Sequence, residues 1–180
     1  MSQASPESGL AERVLDTLWR TSTASLYAVL DGARDEEVQP FVARCGLSSA
    51  CLYDGYLEPE LEAVAPYLVA LERGAPATLE LIRQAWGHQL GIFIEAPGEL
   101  SELRRHLRRF LLVTDPQRRR LLFRYYDPRV LRVYLPTCTA EELERFFGPI
   151  HYFHAEGGDA GVLLRFAGGL AGLVTEEVRL

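Results

Sequence analysis

Lysine is absent from this chain of 180 residues, so all 19 of its basic side chains are arginines. The acidic side chains number 25, and the net charge is −6. General nucleic-acid binders usually carry a basic surface, so this balance argues against that class of partner. A GC-rich coding sequence explains the exclusive use of arginine more simply than selection for guanidinium chemistry does.

Cysteine is also scarce, and Cys45, Cys51 and Cys138 form an odd set without Cys-x-x-Cys spacing. This pattern argues against a disulfide framework and a zinc knuckle, and it predicts reduced, mostly buried thiols. No apolar run reaches the roughly 18 residues of a membrane-spanning helix, and the first residues lack the basic and apolar regions of a secretory leader. We therefore expect a cytoplasmic protein without a membrane partner.

Hydrophobic residues make up 48% of the chain, which is enough to bury one core. Short apolar runs alternate with segments of helical spacing, and this predicts a single α+β domain with a mixed β-sheet of short strands and helices packed on its faces. We divide it into an N-terminal amphipathic helix (1–23), an α+β body (24–166) and a glycine-rich, loose C-terminal tail (167–180). Strands are expected at 24–30, 49–53, 67–71, 91–95, 111–113, 121–125, 151–155 and 161–166.

Capping signals mark several helices. Asp127 followed by Pro128 is typical of a helix start, and Pro136 should end that helix. Thr139 and Glu142 have the spacing of a capping box, and Gly148-Pro149 predicts the end of the helix that they begin.

The most basic predicted helix begins after Glu99. Its arginines lie mainly off the apolar face and include Arg104, Arg105, Arg108 and Arg109. They could bind an acidic partner segment, form an ordinary solvated face, or, in a further hypothesis, contact nucleic acid.

Aromatic and arginine side chains of the kind enriched at binding hot spots occur together between Leu121 and Leu131. One interpretation is a recognition surface that includes Arg124, Tyr125, Tyr126 and Arg129. The other is an internal corner, in which Asp127 caps a helix and pairs with Arg129 or Arg124 while the tyrosines fill the core.

Catalysis has weaker support. A small hydrolase or transferase could assemble its site from His88, Asp31 and Arg124, although no nucleophile motif stands near His88 in the sequence. His151 and His154 should lie on opposite faces of a strand. The acidic residues Asp31, Asp35, Glu36 and Glu37 fit an ordinary helix start better than a cation site. We therefore expect no metal and no cofactor.

Several segments, taken in order, resemble the domain of unknown function 4123 family, the adaptor chaperones of type VI secretion. They are Leu26–Ala33, Ala65–Val69, Trp86-Gly87, His106–Arg108, Leu122–Leu131, Leu135-Pro136 and Phe146–Pro149. The most specific is Phe-Arg-Tyr-Tyr-Asp-Pro-Arg-Val-Leu at 123–131, and the resemblance spans roughly residues 24 to 166.

The resemblance implies a non-catalytic protein that binds a toxic effector and promotes its loading onto the secretion spike protein, VgrG. The expected partners are therefore the effector, the spike, or both. Residues expected to contact them are Arg104, Arg105, Arg108, Arg124, Tyr125, Tyr126, Arg129, Phe146 and Phe147.

Overall fold

The structure is a computed structural model that describes residues 6–20 and 22–180. This part of the chain contains seven α-helices: α1 (Pro6–Arg20), α2 (Val38–Arg44), α3 (Pro59–Ala63), α4 (Pro76–Ala85), α5 (Leu100–Arg108), α6 (Pro128–Tyr134) and α7 (Ala140–Phe147). It also contains nine strands: β1 (Ser25–Asp31), β2 (Ser49–Cys51), β3 (Pro66–Ala70), β4 (Gly91–Ala96), β5 (Leu112–Thr114), β6 (Arg120–Leu122), β7 (Tyr152–Glu156), β8 (Val162–Gly169) and β9 (Gly172–Arg179). The expected class, a single α+β domain, is confirmed.

Seven strands form one sheet in the order β2-β3-β1-β4-β7-β8-β9, while β5 and β6 form a separate hairpin. Every strand pair in the described residues is antiparallel, so the expectation of a mixed sheet is wrong. The crossovers explain the difference. Helix α4 joins β3 to β4, but β1 lies between these two strands and runs antiparallel to both.

Helices cover both faces of the large sheet, as expected. In β1, Ala28 and Leu30 face the core formed with α1, α2 and α4, whereas Tyr27 and Val29 face the core formed with α5, α6 and α7. Burial on both faces explains why the central strands are continuous apolar runs without a polar alternation.

The predicted amphipathic first helix is confirmed as α1. Its buried residues Ala11, Val14 and Leu18 face the core, and Glu12 forms a 2.6 Å ion pair with Arg83 of α4. Residues 1–5 and 21 of the expected N-terminal element lie outside the described residues.

No helix within the described ranges combines the length and the apolar character that crossing a bilayer requires. The three cysteines are free and half-buried.

The predicted caps position α6 and α7. Asp127 accepts a hydrogen bond from the backbone N–H of Arg129, and a capping box opens α7. Gly148 ends α7 with a φ of 51°, and a Cβ atom there would lie 2.3 Å from the His106 ring. Both the positive φ and the close approach therefore favour glycine at this position.

The expected loose tail at 167–180 is wrong. Strand β8 runs to Gly169, and β9 pairs with it along its full length, from Gly172 to Arg179. The exposed polar residues Thr175, Glu176 and Glu177 interrupt the apolar pattern that marks the other strands. Pairing with β8, rather than burial of its own side chains, holds β9 in the sheet.

Candidate functional site

The segment between β6 and α6 is an internal corner. Tyr125 and Tyr126 are buried, and the Tyr125 hydroxyl donates a 3.1 Å hydrogen bond to the carbonyl oxygen of Leu107. Burial raises the pKa of Tyr125 well above its usual value, so its hydroxyl remains a donor. The internal-corner interpretation is confirmed, and the expectation that these two tyrosines form a partner-binding surface is wrong.

Arg124 ties the corner to the end of β1. Its Nε donates to Oδ2 of Asp31 at 3.1 Å, its Nη2 contacts the same oxygen, and the backbone N–H of Ala33 donates to Oδ1. Asp31 is fully buried, and burial raises the pKa of its carboxyl although these donors oppose the rise. Because a buried carboxylate needs such partners, Arg124 acts here as a structural counter-ion.

Arg129 is held by the residue that caps α6. Its Nε and Nη2 donate to the two carboxylate oxygens of Asp127 at 2.9 and 2.5 Å. Burial alone would raise the pKa of Asp127, but the hydrogen bonds from the side chain and backbone of Arg129 leave it below its usual value. Half of the Arg129 side chain remains exposed, so this residue can still meet a partner.

Phe146 and Phe147 belong to the core. The Phe146 ring stacks on Phe153 of β7 at a centroid distance of 5.1 Å and meets Tyr125 edge-on at 5.6 Å. Phe147 packs edge-on against Phe153 at 5.0 Å. Both side chains are at most 2% exposed, so their expected role in contacting a partner is wrong. Together with Leu143, at spacings of three and four residues, they form the buried face of α7.

The basic helix α5 uses two of its predicted partner-binding arginines inside the protein. Arg104 donates from Nε to the carbonyl oxygen of Cys51 at 2.7 Å and from Nη2 to that of Tyr53 at 2.9 Å. Arg108 pairs with Asp54 at 2.6 Å and holds the pKa of that carboxyl below its usual value. These contacts fasten α5 to the end of β2 and to the segment that follows it.

Arg105 is exposed on the same helix, and so is Arg109. The Nη2 of Arg109 contacts Nδ1 of His106, whose Nε2 lies 2.8 Å from the carbonyl oxygen of Phe146. This arrangement requires the tautomer in which Nε2 carries the proton and donates to Phe146. Arg105 makes no hydrogen bond or ion pair in the described ranges and can therefore meet a partner, whereas Arg109 also supports the contact between α5 and α7.

Two exposed features lie beside the corner, and apart from Arg129 none of their residues belongs to the sequence-based site. One is the β5–β6 hairpin, which exposes Leu112, Val113, Leu121 and Leu122. The other is a groove of about 670 Å³ lined by Asp127, Arg129, Val130, Val133, Tyr134 and Thr137. A hairpin and an amphipathic helix are normally expected to bury such side chains, so sequence patterning offers no signal for their exposure.

The hypothetical catalytic group is only partly assembled. Asp31 and Arg124 meet, but as the buried ion pair described above. His88 is exposed, and its side chain makes no hydrogen bond or ion pair within residues 6–20 and 22–180. The described part of the chain contains no group of three or more His, Cys, Asp or Glu residues arranged to hold a metal ion.

A buried polar cluster lies elsewhere, between α1 and the second half of the large sheet. His154 and Glu95 are almost fully buried, with Nε2 and Oε2 3.9 Å apart. Arg165 lies 4.0 Å from Glu95, and burial together with this positive charge lowers the pKa of His154 to about 3. His154 is therefore neutral near pH 7. His151 is exposed and separate from it.

The fold is a small α+β domain. Most of the arginines predicted to bind a partner instead bind other residues of the same domain. The chain belongs to the family described as Domain of unknown function (DUF4123), whose family model matches residues 26–145. The resemblance noted from the ordered sequence segments is confirmed at the level of the family. Comparison with curated proteins and with solved structures gives no match.

Proposed function

We propose that this protein is a non-catalytic adaptor of type VI secretion, which binds a toxic effector and promotes its loading onto the VgrG spike. The observation that carries the proposal is family membership over residues 26–145. The ordered segments described above resemble adaptor chaperones of that secretion system, and the most specific of them lies within the matched range.

The geometry of that segment supports a scaffold. Arg124 neutralises Asp31, Asp127 caps α6 and holds Arg129, and the two tyrosines fill the interior. The motif therefore positions the β5–β6 hairpin on one side and α6 on the other. Arg105, Arg129 and the two exposed features remain free for contacts, as an adaptor that works through protein surfaces requires.

Co-expression with each protein encoded beside it tests the proposal. The tagged chain is purified with each neighbouring effector or spike protein, and the complexes are sized by light scattering. We expect a stable complex with at least one of them and none with an effector from an unrelated locus. Recovery of the chain alone in every pairing would contradict the proposal.

A further inference from the structure

Arginines are concentrated in the part of the sequence that contains the β5–β6 hairpin. Ten of the 19 arginines lie between residues 104 and 132, a stretch with only two acidic residues, although the whole chain has a net charge of −6. Three of them, Arg118, Arg119 and Arg120, are exposed at the turn and the start of β6. Arg119 pairs with Asp115, whereas Arg118 and Arg120 form no ion pair within the described residues.

The hairpin exposes apolar pairs on both of its faces. Leu112 lies opposite Leu122, with exposed fractions of 50% and 44%, and Val113 lies opposite Leu121, with 41% and 44%. Directly opposed residues in an antiparallel pair share a face, and successive residues alternate between faces. A two-stranded hairpin with both faces in water is only marginally stable by itself, so a covering partner would stabilise it.

Backbone hydrogen-bonding groups on both edges of the hairpin have no partner among the described residues. The backbone N–H of Asp115 donates to the carbonyl oxygen of Arg119, and that of Phe123 donates to the carbonyl oxygen of Leu111, so these residues form hydrogen-bonded pairs of the ladder. Because such pairs alternate along an antiparallel ladder, the backbone groups of Arg120 and Leu122 point outward from β6, and those of Thr114 point outward from β5. In the described part of the chain neither edge is paired with a third strand.

The edge of β6 is favoured over that of β5 by what adjoins it. The Phe123 ring, directly after β6, meets the Tyr134 ring edge-on at a centroid distance of 4.7 Å. Tyr134 also lines the apolar groove along α6, in which Val133 is 72% exposed. Main-chain pairing and an apolar groove therefore adjoin at the base of β6.

Resting on the proposed function, we infer that the β5–β6 hairpin is the docking element for an acidic, extended segment of the effector, which adds to the edge of β6 as a third strand. Main-chain hydrogen bonds to Arg120 and Leu122 supply affinity. Carboxylates of the segment meet Arg118 and Arg120, and its apolar residues cover one face of the hairpin. A second copy of this chain is disfavoured because pairing two such hairpins would bring their arginines together.

Effector binding by two proline variants of the full-length protein tests the edge. Leu122→Pro removes an outward N–H from β6, and Thr114→Pro removes one from β5, while neither removes a hydrogen bond of the hairpin ladder. We expect Leu122→Pro to weaken effector binding at least roughly tenfold, and Thr114→Pro to change it less than about twofold. Equal weakening by both variants, or no effect of Leu122→Pro, would overturn the inference.

Charge reversal provides a second measurement that does not disturb the backbone. We expect two single variants, Arg118→Glu and Arg120→Glu, each to weaken effector binding and to reduce its salt dependence. The control variants Arg73→Glu and Arg145→Glu, at other exposed positions, should do neither. If the unmodified chain binds the effector and all four variants bind equally, only the docking site is wrong. If the unmodified chain binds the spike alone, or no neighbour at all, the inference falls, and the second result also removes the proposed function.

Discussion

At the scale of single residues, the charged groups of the family-like segment are explained by their ion pairs, in which Arg124 meets Asp31 and Arg129 meets Asp127. Asp127 was predictable as a helix cap, because its donor at Arg129 lies two positions away. The partner of Arg124 was not predictable, because Asp31 lies 93 positions earlier in the chain. Local hydrogen bonding is readable from residue order, whereas the choice of a counter-ion depends on tertiary contacts.

Replacement of Asp127 tests the structural role of the corner. Asp127→Ala removes the cap of α6 and the carboxylate that holds Arg129, so we expect the free energy of unfolding to fall by about 1 to 2 kcal/mol. Asp127→Asn keeps a capping oxygen and should cost less. Denaturant unfolding measures both, and an unchanged midpoint in the alanine variant would show that the corner is not structural.

His154 should make stability depend on pH. Its pKa is lowered to about 3 in the folded protein, whereas an unfolded histidine titrates near about 6.5. Between these two pH values the unfolded chain binds more protons at this histidine than the folded chain does. The contribution of neutral His154 to the free energy of unfolding is therefore fully present above about pH 6.5 and is lost as the pH falls toward 3. We expect His154 to contribute a loss of about 2 kcal/mol between about pH 7 and pH 5.

The measurement is the free energy of unfolding at both pH values for the unmodified chain, His154→Gln and the matched exposed variant His88→Gln. His106, whose pKa burial also lowers, acts in the same direction and remains in all three proteins. The His154 variant should therefore show a weaker pH dependence than the other two. An identical pH dependence in all three would contradict this role of His154.

At the scale of elements, helix ends were predictable and strand pairing was not. Pro, Gly and capping residues marked the ends of α6 and α7 because these signals act within one helical turn. Strand β9 has no apolar alternation of its own, and its existence depends on the neighbouring β8.

Two neighbouring arginines of α5 should differ in their effect on stability. Arg104 donates to two backbone carbonyl groups, one at the end of β2 and one just after it, whereas Arg105 is exposed. We expect Arg104→Ala to lower the free energy of unfolding by about 1 to 3 kcal/mol, because two acceptors lose their donor. Arg105→Ala on the same helix should change it by less than about 0.5 kcal/mol. Equal thermal midpoints in the two variants would contradict the fastening role of Arg104.

Removal of residues 171–180 should strongly destabilise the domain. Strand β9 covers the edge of β8, and its Val178 lies opposite the buried Leu163. We expect the truncated chain to lose at least about 2 kcal/mol of stability or to aggregate, because it exposes apolar area and an unpaired edge. Leu170→Ser, at the exposed turn, is the matched control. A truncated chain with an unchanged unfolding midpoint would show that this segment behaves as a tail.

At the scale of the whole molecule, apolar patterning correctly indicated one α+β core, but not the order of its strands. Residues such as Ala28 and Val29 are buried on opposite faces of β1, so the sequence alone does not assign them to a layer. For the same reason, the buried Phe146 and the exposed Val133 were not distinguishable by hydrophobicity. The structure therefore replaces the aromatic residues, as candidates for partner contact, with the exposed side chains of the β5–β6 hairpin and of α6.

The proposed adaptor role requires that this chain promotes the association of an effector with its spike. The direct measurement is reconstitution from purified components, in which tagged spike protein captures the effector with and without this chain. We expect the chain to increase the captured effector at least roughly tenfold, as a bridging protein that supplies a second contact should. Equal capture with and without the chain would contradict it.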